Sequence, residues 1–231
     1  MNGALMVALL RQRMTSPVRV VLLVFLFGFP LLGAWAMQSA RGLGDPFMIA
    51  LVLGAGAIGQ DLSSGVLQLT FARPVSRSSY VLSKWAAIAL ASAGIALVQL
   101  ALGFLLLSSR GEPMTASALA RSAGETVASA AGVGGVIVLF SSLLPGLGDL
   151  ALFLLLGLGG SLMGFLGQAR SLPTLAKIGQ EMSSFAVPHA DLSLGSPGSV
   201  YALVAFASNL ALALALAIVV LNRRELSYAS D

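Results

Sequence analysis

The chain has no cysteine and a single histidine, His189. Without cysteine it can form neither a disulfide framework nor a thiolate metal site. A zinc site built around this one histidine would lack the other nitrogen and sulfur ligands that Zn²⁺ prefers. These two absences argue against the disulfide-stapled and zinc-stabilised classes of small protein, and we expect no metal site.

Charge is also scarce. Acidic and basic residues make up 10% of the 231 residues and hydrophobic residues 57%, with a mean hydropathy of +0.93. A soluble domain carries about 25% charged residues. So few polar residues cannot cover an apolar core with a water-facing surface, which predicts an all-α integral membrane protein.

Apolar runs that could cross a bilayer occur six times. A spanning helix needs about 20 mostly apolar residues, because every backbone amide must be hydrogen-bonded within the segment. The candidate spans lie near 18–37, 46–60, 85–107, 123–144, 150–167 and 200–221. The fourth is rich in Ala, Gly and Ser, which predicts an inner helix, since small residues let helices approach closely. We expect one transmembrane domain, 1–231, built as a six-helix bundle.

Two further segments flank these spans. In residues 1–17 the apolar stretch precedes the charges, the reverse of a signal peptide. The pattern predicts an amphipathic helix at the cytoplasmic interface, with Pro17 separating it from the first span and a frayed tail as the alternative. Residues 168–199 are predicted to form an extracytoplasmic loop, either as short helices at the outer face or as a mobile loop.

The basic residues indicate an orientation. With a cytoplasmic N-terminus, eight Lys and Arg residues fall on the inside and five on the outside. The positive-inside rule then predicts a multi-pass protein of the cell inner membrane with both termini cytoplasmic. The net charge of +4 is explained by this topology, and no basic face with interleaved aromatic residues indicates nucleic-acid binding.

One glycine motif imitates a nucleotide site. Gly54, Gly56 and Gly59 have the G-x-G-x-x-G spacing of dinucleotide-binding folds, but no acidic residue follows in 74–84 to hold a ribose. Within a membrane span, glycines are expected to serve helix packing.

A second motif, GLGD at 146–149, copies the signature of intramembrane aspartyl proteases. That chemistry needs a second carboxylate facing the first so that the pair can share a proton. The favoured interpretation is a tight cytoplasmic turn between two spans, with Asp149 capping the next helix.

A hydrophilic stretch, 61–84, separates the second and third spans. It is longer than a bare connector and contains Leu67, Leu69 and Phe71, which a solvated loop would not need. A short amphipathic helix here could place these side chains in a groove of a soluble partner, with the nearby arginines at its rim. The alternative is a solvated loop whose arginines enforce the positive-inside rule.

The order of residues in this stretch resembles the cytoplasmic signature of type-2 ATP-binding-cassette (ABC) exporter permeases. In that family an acidic residue is followed by Gly-Thr-Leu, a Pro-x-Ser-Arg turn and a Gly-Lys entering the next helix. Those places are filled here by Asp61, Gly65-Val66-Leu67, Pro74-Val75-Ser76-Arg77 and Ser83-Lys84. Asp for Glu, Val for Thr and Ser for Gly are departures. The sequence NRRELSY at 222–228 also resembles the Arg-Arg-Glu ending of the family's last helix.

The resemblance implies a non-enzymatic permease subunit that forms the substrate pathway of an ATP-driven exporter. The chain has no G-x-x-x-x-G-K-[ST], so ATP and Mg²⁺ are expected on a separate cytoplasmic ABC ATPase subunit and no cofactor on this chain. A second permease copy, identical or homologous, and membrane lipid are the other implied partners. The implied docking residues on the coupling helix and its flanks are Asp61, Gly65, Leu67, Leu69, Phe71, Arg73, Pro74, Arg77 and Lys84.

Two other functions stay open. A membrane scaffold or signalling subunit would dock a cytoplasmic ATPase without transporting, and an intramembrane hydrolase would need a carboxylate facing Asp149. Few charged residues lie within the predicted spans, with Glu125 nearest to membrane depth. A lipid-like or amphiphilic cargo is therefore favoured over a strongly charged one.

Overall fold

Helices make up the regular structure of the described residues. The computed structural model describes residues 3–40, 42–72, 75–111, 115–188, 192 and 197–224, with 197–199 described by backbone alone. The helices, in chain order, are α1 (Gly3–Met14), α2 (Pro17–Met37), α3 (Phe47–Gly54), α4 (Gly59–Ser63), α5 (Val66–Phe71), α6 (Arg77–Ser108), α7 (Ala116–Leu143), α8 (Gly148–Ala169), α9 (Pro173–Ala186) and α10 (Pro197–Arg223). The predicted all-α class is confirmed.

Five of these helices are long and apolar enough to cross a membrane: α2, α6, α7, α8 and the Val200–Arg223 part of α10. They coincide with five of the six predicted spans, so the chain is a multi-pass membrane protein. α6 begins earlier than its predicted span because the Ser76 hydroxyl accepts a hydrogen bond from the Ser79 amide and caps the helix. Thr115 caps α7 in the same way, through the Ala118 amide.

The second predicted span, 46–60, is a broken helix. α3 has 8 residues, which is about 12 Å of helix and too short to cross a bilayer. The chain then turns through residues 55–58 and continues as α4. Gly56 has a φ of +68°, a left-handed conformation that glycine adopts without strain, and this turn interrupts the helix.

α7 is the most buried of the five long helices and lies at the centre of the bundle, in agreement with the predicted inner helix. Its glycines let neighbours approach closely. A Cβ atom on Gly132 would lie 2.8 Å from Phe206, and one on Gly135 would lie 2.5 Å from Leu210. Both contacts are with α10, so α7 and α10 pack through these glycines.

Pro30 lies inside α2 and cannot donate a hydrogen bond to the Leu26 carbonyl one turn earlier. The Gln99 side chain of α6 donates to the carbonyls of Leu26 and Phe27, at 3.0 and 2.8 Å, and accepts from the Gly44 amide. Gln99 therefore ties α2 and the start of the broken helix to α6 within the apolar bundle.

α9 packs back along α8 as an antiparallel hairpin. A Cβ atom on Gly160 of α8 would lie 2.6 Å from the Ser183 hydroxyl and 2.8 Å from the Gly179 carbonyl of α9. After α9 the chain returns along α7, where the Pro188 carbonyl accepts from the Ser129 hydroxyl. Part of the 168–199 segment is thus helical, which is one of the two expected forms, and small residues on α8 and α9 let the two helices touch. His189 lies outside the described residues.

The ends of the elements identify two ends of the bundle. At the first, called the Asp61 end, Arg13 donates to the Ala55 carbonyl, Arg77 to the Leu221 carbonyl and Arg224 to the Leu143 carbonyl. At the second, called the Gly44 end, Gly44 contacts Gln99 and Thr126, and Arg110 donates to the Trp35 carbonyl. The broken helix runs between these two ends.

Candidate partner-docking site

The short helix α5 gives the predicted docking stretch its shape. Gly65, at a φ of +72°, turns the chain into this six-residue helix. Leu67 points into the bundle and is 1% exposed, whereas Leu69 is 73% exposed and Val66 42%. Leu67 joins the main apolar core, so its side chain packs within the chain and not on the outward face of α5, and its role in docking stays a prediction. Leu69 is the large apolar side chain that this helix presents outward most fully.

Phe71 lies one turn after Leu67 and faces the same way, because residues four apart share a helix face. Its ring packs edge-on against the Tyr80 ring at a centroid distance of 5.5 Å, and the Arg77 guanidinium lies 5.6 Å from it. Phe71 is therefore half-buried and holds α5 against the start of α6, which differs from the expectation of a free anchor.

Arg77 binds within the chain. Its guanidinium donates to the carbonyls of Leu221 and Asn222 at 2.7 and 2.9 Å. These are carbonyls of the last turn of α10, which have no partner within the helix and carry its negative dipole end. Arg77 was expected at the rim of a docking surface. In the structure it instead caps the end of α10 and so joins the 61–84 stretch to that helix.

Asp61 and Lys84 form a buried ion pair at 2.8 Å, with side chains 11% and 7% exposed respectively. The same carboxylate oxygen of Asp61 accepts from the Tyr80 hydroxyl at 2.5 Å. Tyr80 and Lys84 are four residues apart on α6, so one face of this helix supplies both partners. Both ends of the stretch, 61 and 84, are thereby tied together.

Arg13 of α1 enters the same region and is 2% exposed. It donates to the Ala55 carbonyl at 2.7 Å, and its Nε has no hydrogen-bond partner among the described residues. Burial, followed by the nearby charge of Arg19, lowers the pKa of Arg13 to about 10. The guanidinium stays charged at neutral pH and closes the turn between α3 and α4.

Asp149 and Ser141 bind the amides of that turn. The Asp149 carboxylate accepts from the Gly56 amide at 2.6 Å and from the Leu150 amide at 2.9 Å. The Ser141 hydroxyl accepts from the amides of Ile58 and Gly59, both at 2.9 Å. The amides that would cradle a pyrophosphate in a dinucleotide-binding fold are occupied by side chains of α7 and α8.

The three glycines of the motif pack closely, as expected. A Cβ atom on Gly54 would lie 2.7 Å from Ile137, and one on Gly59 would lie 2.6 Å from the Gly146 and Leu144 carbonyls. The Gly146 amide also donates to the Gly59 carbonyl at 2.7 Å. Gly146 and Leu147 form a turn before α8, and Asp149 lies in the first turn of that helix, where it binds Gly56 instead of serving as the N-cap.

Together these groups form one buried polar cluster, which consists of Arg13, Asp61, Tyr80, Lys84, Ser141 and Asp149. The two carboxylates have separate hydrogen-bond partners: Tyr80 and Lys84 for Asp61, and backbone amides for Asp149. They do not form the paired, proton-sharing arrangement that an aspartyl protease uses. The cluster connects α1, the broken helix, α6, α7 and α8 at the Asp61 end of the bundle, on the inner side of α5.

Sequence patterns missed part of this cluster. Arg13 falls four residues after Leu9, on the apolar face of α1, and both are buried. Tyr80 precedes Lys84 by one helical turn at the start of α6. A charged or phenolic side chain three or four residues from apolar positions, on the same helix face, is the pattern that could have identified Arg13 and Tyr80. Arg73 and Pro74, which were expected in the docking set, lie outside the described residues.

Comparison with protein-family models, with curated proteins and with solved structures gives no match for this chain.

Proposed function

We propose that this chain is the membrane-spanning permease subunit of an ATP-driven exporter and that it docks a separate cytoplasmic ABC ATPase through the stretch 61–84. The observation that carries the proposal is Leu69. Its side chain is 73% exposed on a short helix at the Asp61 end of the bundle. A large exposed apolar side chain on a fixed helix fits a pocket on a partner surface.

The attachments of α5 support a coupling role. Its base is held by the Asp61–Lys84 ion pair and by Phe71 against Tyr80. Arg77 links the start of α6 to the end of α10. A force applied at Leu69 therefore reaches α6 and α10 through these contacts, and closure of an ATPase dimer below would tilt both helices.

The proposal includes six crossings. The broken helix starts near Gly44, beside Gln99 and Thr126, and ends near Asp61, beside Tyr80 and Lys84. It would cross the membrane together with the five long helices, which places α1 and the end of α10 on one side. The positive-inside rule assigns that side to the cytoplasm of a cell with an inner membrane.

ATP and Mg²⁺ belong to the partner ATPase in this proposal, and the chain itself is not an enzyme. A second permease copy would complete the pathway, since α2, α8 and α10 are largely exposed in the single chain. Membrane lipid covers the faces that remain.

A pull-down of the ATPase tests the proposal. Leu69→Asp places a charge where an apolar side chain should be buried in the partner, which should weaken association by about 2 kcal/mol or more. The tagged permease carrying this substitution should retain much less ATPase, and transport should fall in parallel. Leu69 is the better test position than Phe71, because a change at Phe71 also breaks its packing on Tyr80.

Ser109→Asp is the matched control, since it adds the same charge at an exposed position beyond the last turn of α6, at the Gly44 end. It should leave ATPase capture unchanged. Normal insertion of Leu69→Asp with wild-type ATPase capture and wild-type transport would show that 61–84 is a connector. ATPase capture without any substrate-dependent ATPase activity would instead favour the scaffold function.

A further inference from the structure

A cavity of about 700 Å³ lies between α9 and α10. Polar side chains of α9 line one side, namely Gln180, Glu181 and Ser184, and Asn209 of α10 lies opposite. Phe185 and Phe206 supply part of its apolar wall. A cavity of this size accommodates a drug-sized molecule, and its lining combines an apolar surface with a few polar groups, as ligand sites do.

The cavity is a groove that opens at the surface of the bundle, since Glu181, Ser184 and Asn209 are exposed, and it lies near the middle of the bundle's length. Ser183 of α9 lies against Gly160, near the middle of the 22-residue helix α8. Asn209 lies near the middle of the 27-residue helix α10. Phe206 and Pro188 both lie beside Gly132 of α7, inside another spanning helix. Three helices therefore place the cavity at membrane depth, far from both ends of the bundle.

Glu181 is the charged residue of this lining. Its side chain forms no ion pair within the part of the chain that the structure describes. Lys177 lies one turn earlier on α9, toward the turn with α8, and is not part of the lining. A carboxylate at membrane depth is costly unless a cation or hydrogen-bond donors offset its charge. Sequence reasoning had placed Glu125 nearest to membrane depth, and the α8–α9 hairpin places Glu181 deeper.

We infer that this cavity binds an amphiphile with a cationic head group. Its cation would lie against the Glu181 carboxylate, with hydrogen bonds from Gln180, Ser184 and Asn209 to any polar atoms of the head group. Its apolar body would pack against Phe185 and Phe206. This inference rests on the proposed function only in naming the bound amphiphile as the class of exported cargo. Binding itself requires only this chain.

Binding of two lipophilic ions of the same shape tests the site. Tetraphenylphosphonium is a cation and tetraphenylborate an anion, and both are applied to the purified full-length chain by equilibrium dialysis. Saturable binding of the cation is expected, without competition from the anion. Glu181→Gln should raise the dissociation constant for the cation about tenfold or more, since it removes the negative charge that faces the bound cation.

Glu125→Gln is the matched control, because it also removes a carboxylate but one that lies outside the cavity and 3.6 Å from Arg121. It should leave cation binding unchanged. Equal binding of both ions, or unchanged cation binding by Glu181→Gln with native helical content, would overturn the inference. The inference would also be overturned if the protein bound no cation and Glu181→Gln converted a dimer into a monomer. That result would make this face an interface between copies.

The two proposals fail separately. Cation binding that depends on Glu181 but no captured ATPase would remove the exporter function and leave the site. A captured ATPase with no Glu181-dependent cation binding would remove the site and leave the docking proposal.

Discussion

Four buried charges at the Asp61 end balance one another in sign: Arg13 and Lys84 against Asp61 and Asp149. Their mutual attraction must offset the cost of removing each charge from water, and that balance is lost when one member is removed. The loss of a partner is therefore more damaging than the loss of a whole pair.

Lys84→Met should destabilise the protein by about 3–5 kcal/mol, because it leaves the Asp61 carboxylate buried without its cation. The expected observation is a lower midpoint temperature for the loss of helical circular dichroism in detergent. Adding Asp61→Asn to Lys84→Met should restore most of that loss, since the double variant buries no unpaired charge. A double variant less stable than Lys84→Met would contradict the balanced-charge interpretation.

Sequence analysis singled out several of these buried residues but seldom predicted which groups they would contact. Asp61 and Lys84 stood out as charges beside apolar helices, but their mutual pairing depends on how α4 meets α6. The burial of Asp149 depends on the turn at Gly56, a residue 93 positions earlier in the chain. Such long-range contacts leave no local pattern in the sequence, so their partners could not be named from it.

Among the secondary-structure elements, the long helices were the most predictable. Apolar runs about 20 residues long leave few alternatives to a spanning helix, and five of them are present. The break after Gly54 was not predicted, because glycines also occur in continuous spanning helices, where they let neighbouring helices pack closely. The return of α9 along α8 was missed for a similar reason: its amphipathic pattern predicts a helix but not which surface covers it.

Two glycines of α8 give a matched test of the hairpin. A Cβ atom on Gly160 would lie 2.6 Å from the Ser183 hydroxyl, whereas one on Gly157 would have nothing within 4 Å. Gly160→Ala should displace α9 and cost about 1–3 kcal/mol. Gly157→Ala should be neutral or stabilising by up to about 1 kcal/mol, because alanine favours helix.

Trypsin cleavage after Lys177 of α9, followed by mass spectrometry of the purified protein, measures the displacement. Faster cleavage is expected in Gly160→Ala and a wild-type rate in Gly157→Ala. Equal rates in the two variants would show that α9 does not depend on close contact with α8.

At the scale of the whole molecule, the path of the broken helix decides how many times the chain crosses the membrane. Single cysteines at Thr15, Ser64 and Ser171, all exposed positions, test this in a chain that has none of its own. Six crossings predict that Thr15 and Ser64 react with a membrane-impermeant maleimide from the cytoplasmic side. Ser171, in the turn between α8 and α9, should react from the outside.

A cysteine at Ser161, exposed on the middle of α8, is the control and should stay unlabelled from either side because it faces lipid. Labelling of Thr15 and Ser64 from opposite sides would show that α3 and α4 do not cross. Labelling of all three positions from the reverse sides would overturn the orientation.

The turn between α3 and α4 also constrains the order in which this protein can mature. The amides of Gly56, Ile58 and Gly59 find their acceptors 82 to 93 residues later in the chain. Until Ser141 of α7 and Asp149 of α8 have been made, these amides lack the side-chain acceptors of the finished structure, and an unpaired amide is costly where water is excluded. The turn can therefore take its final form only after most of α7 and the start of α8 have been synthesised.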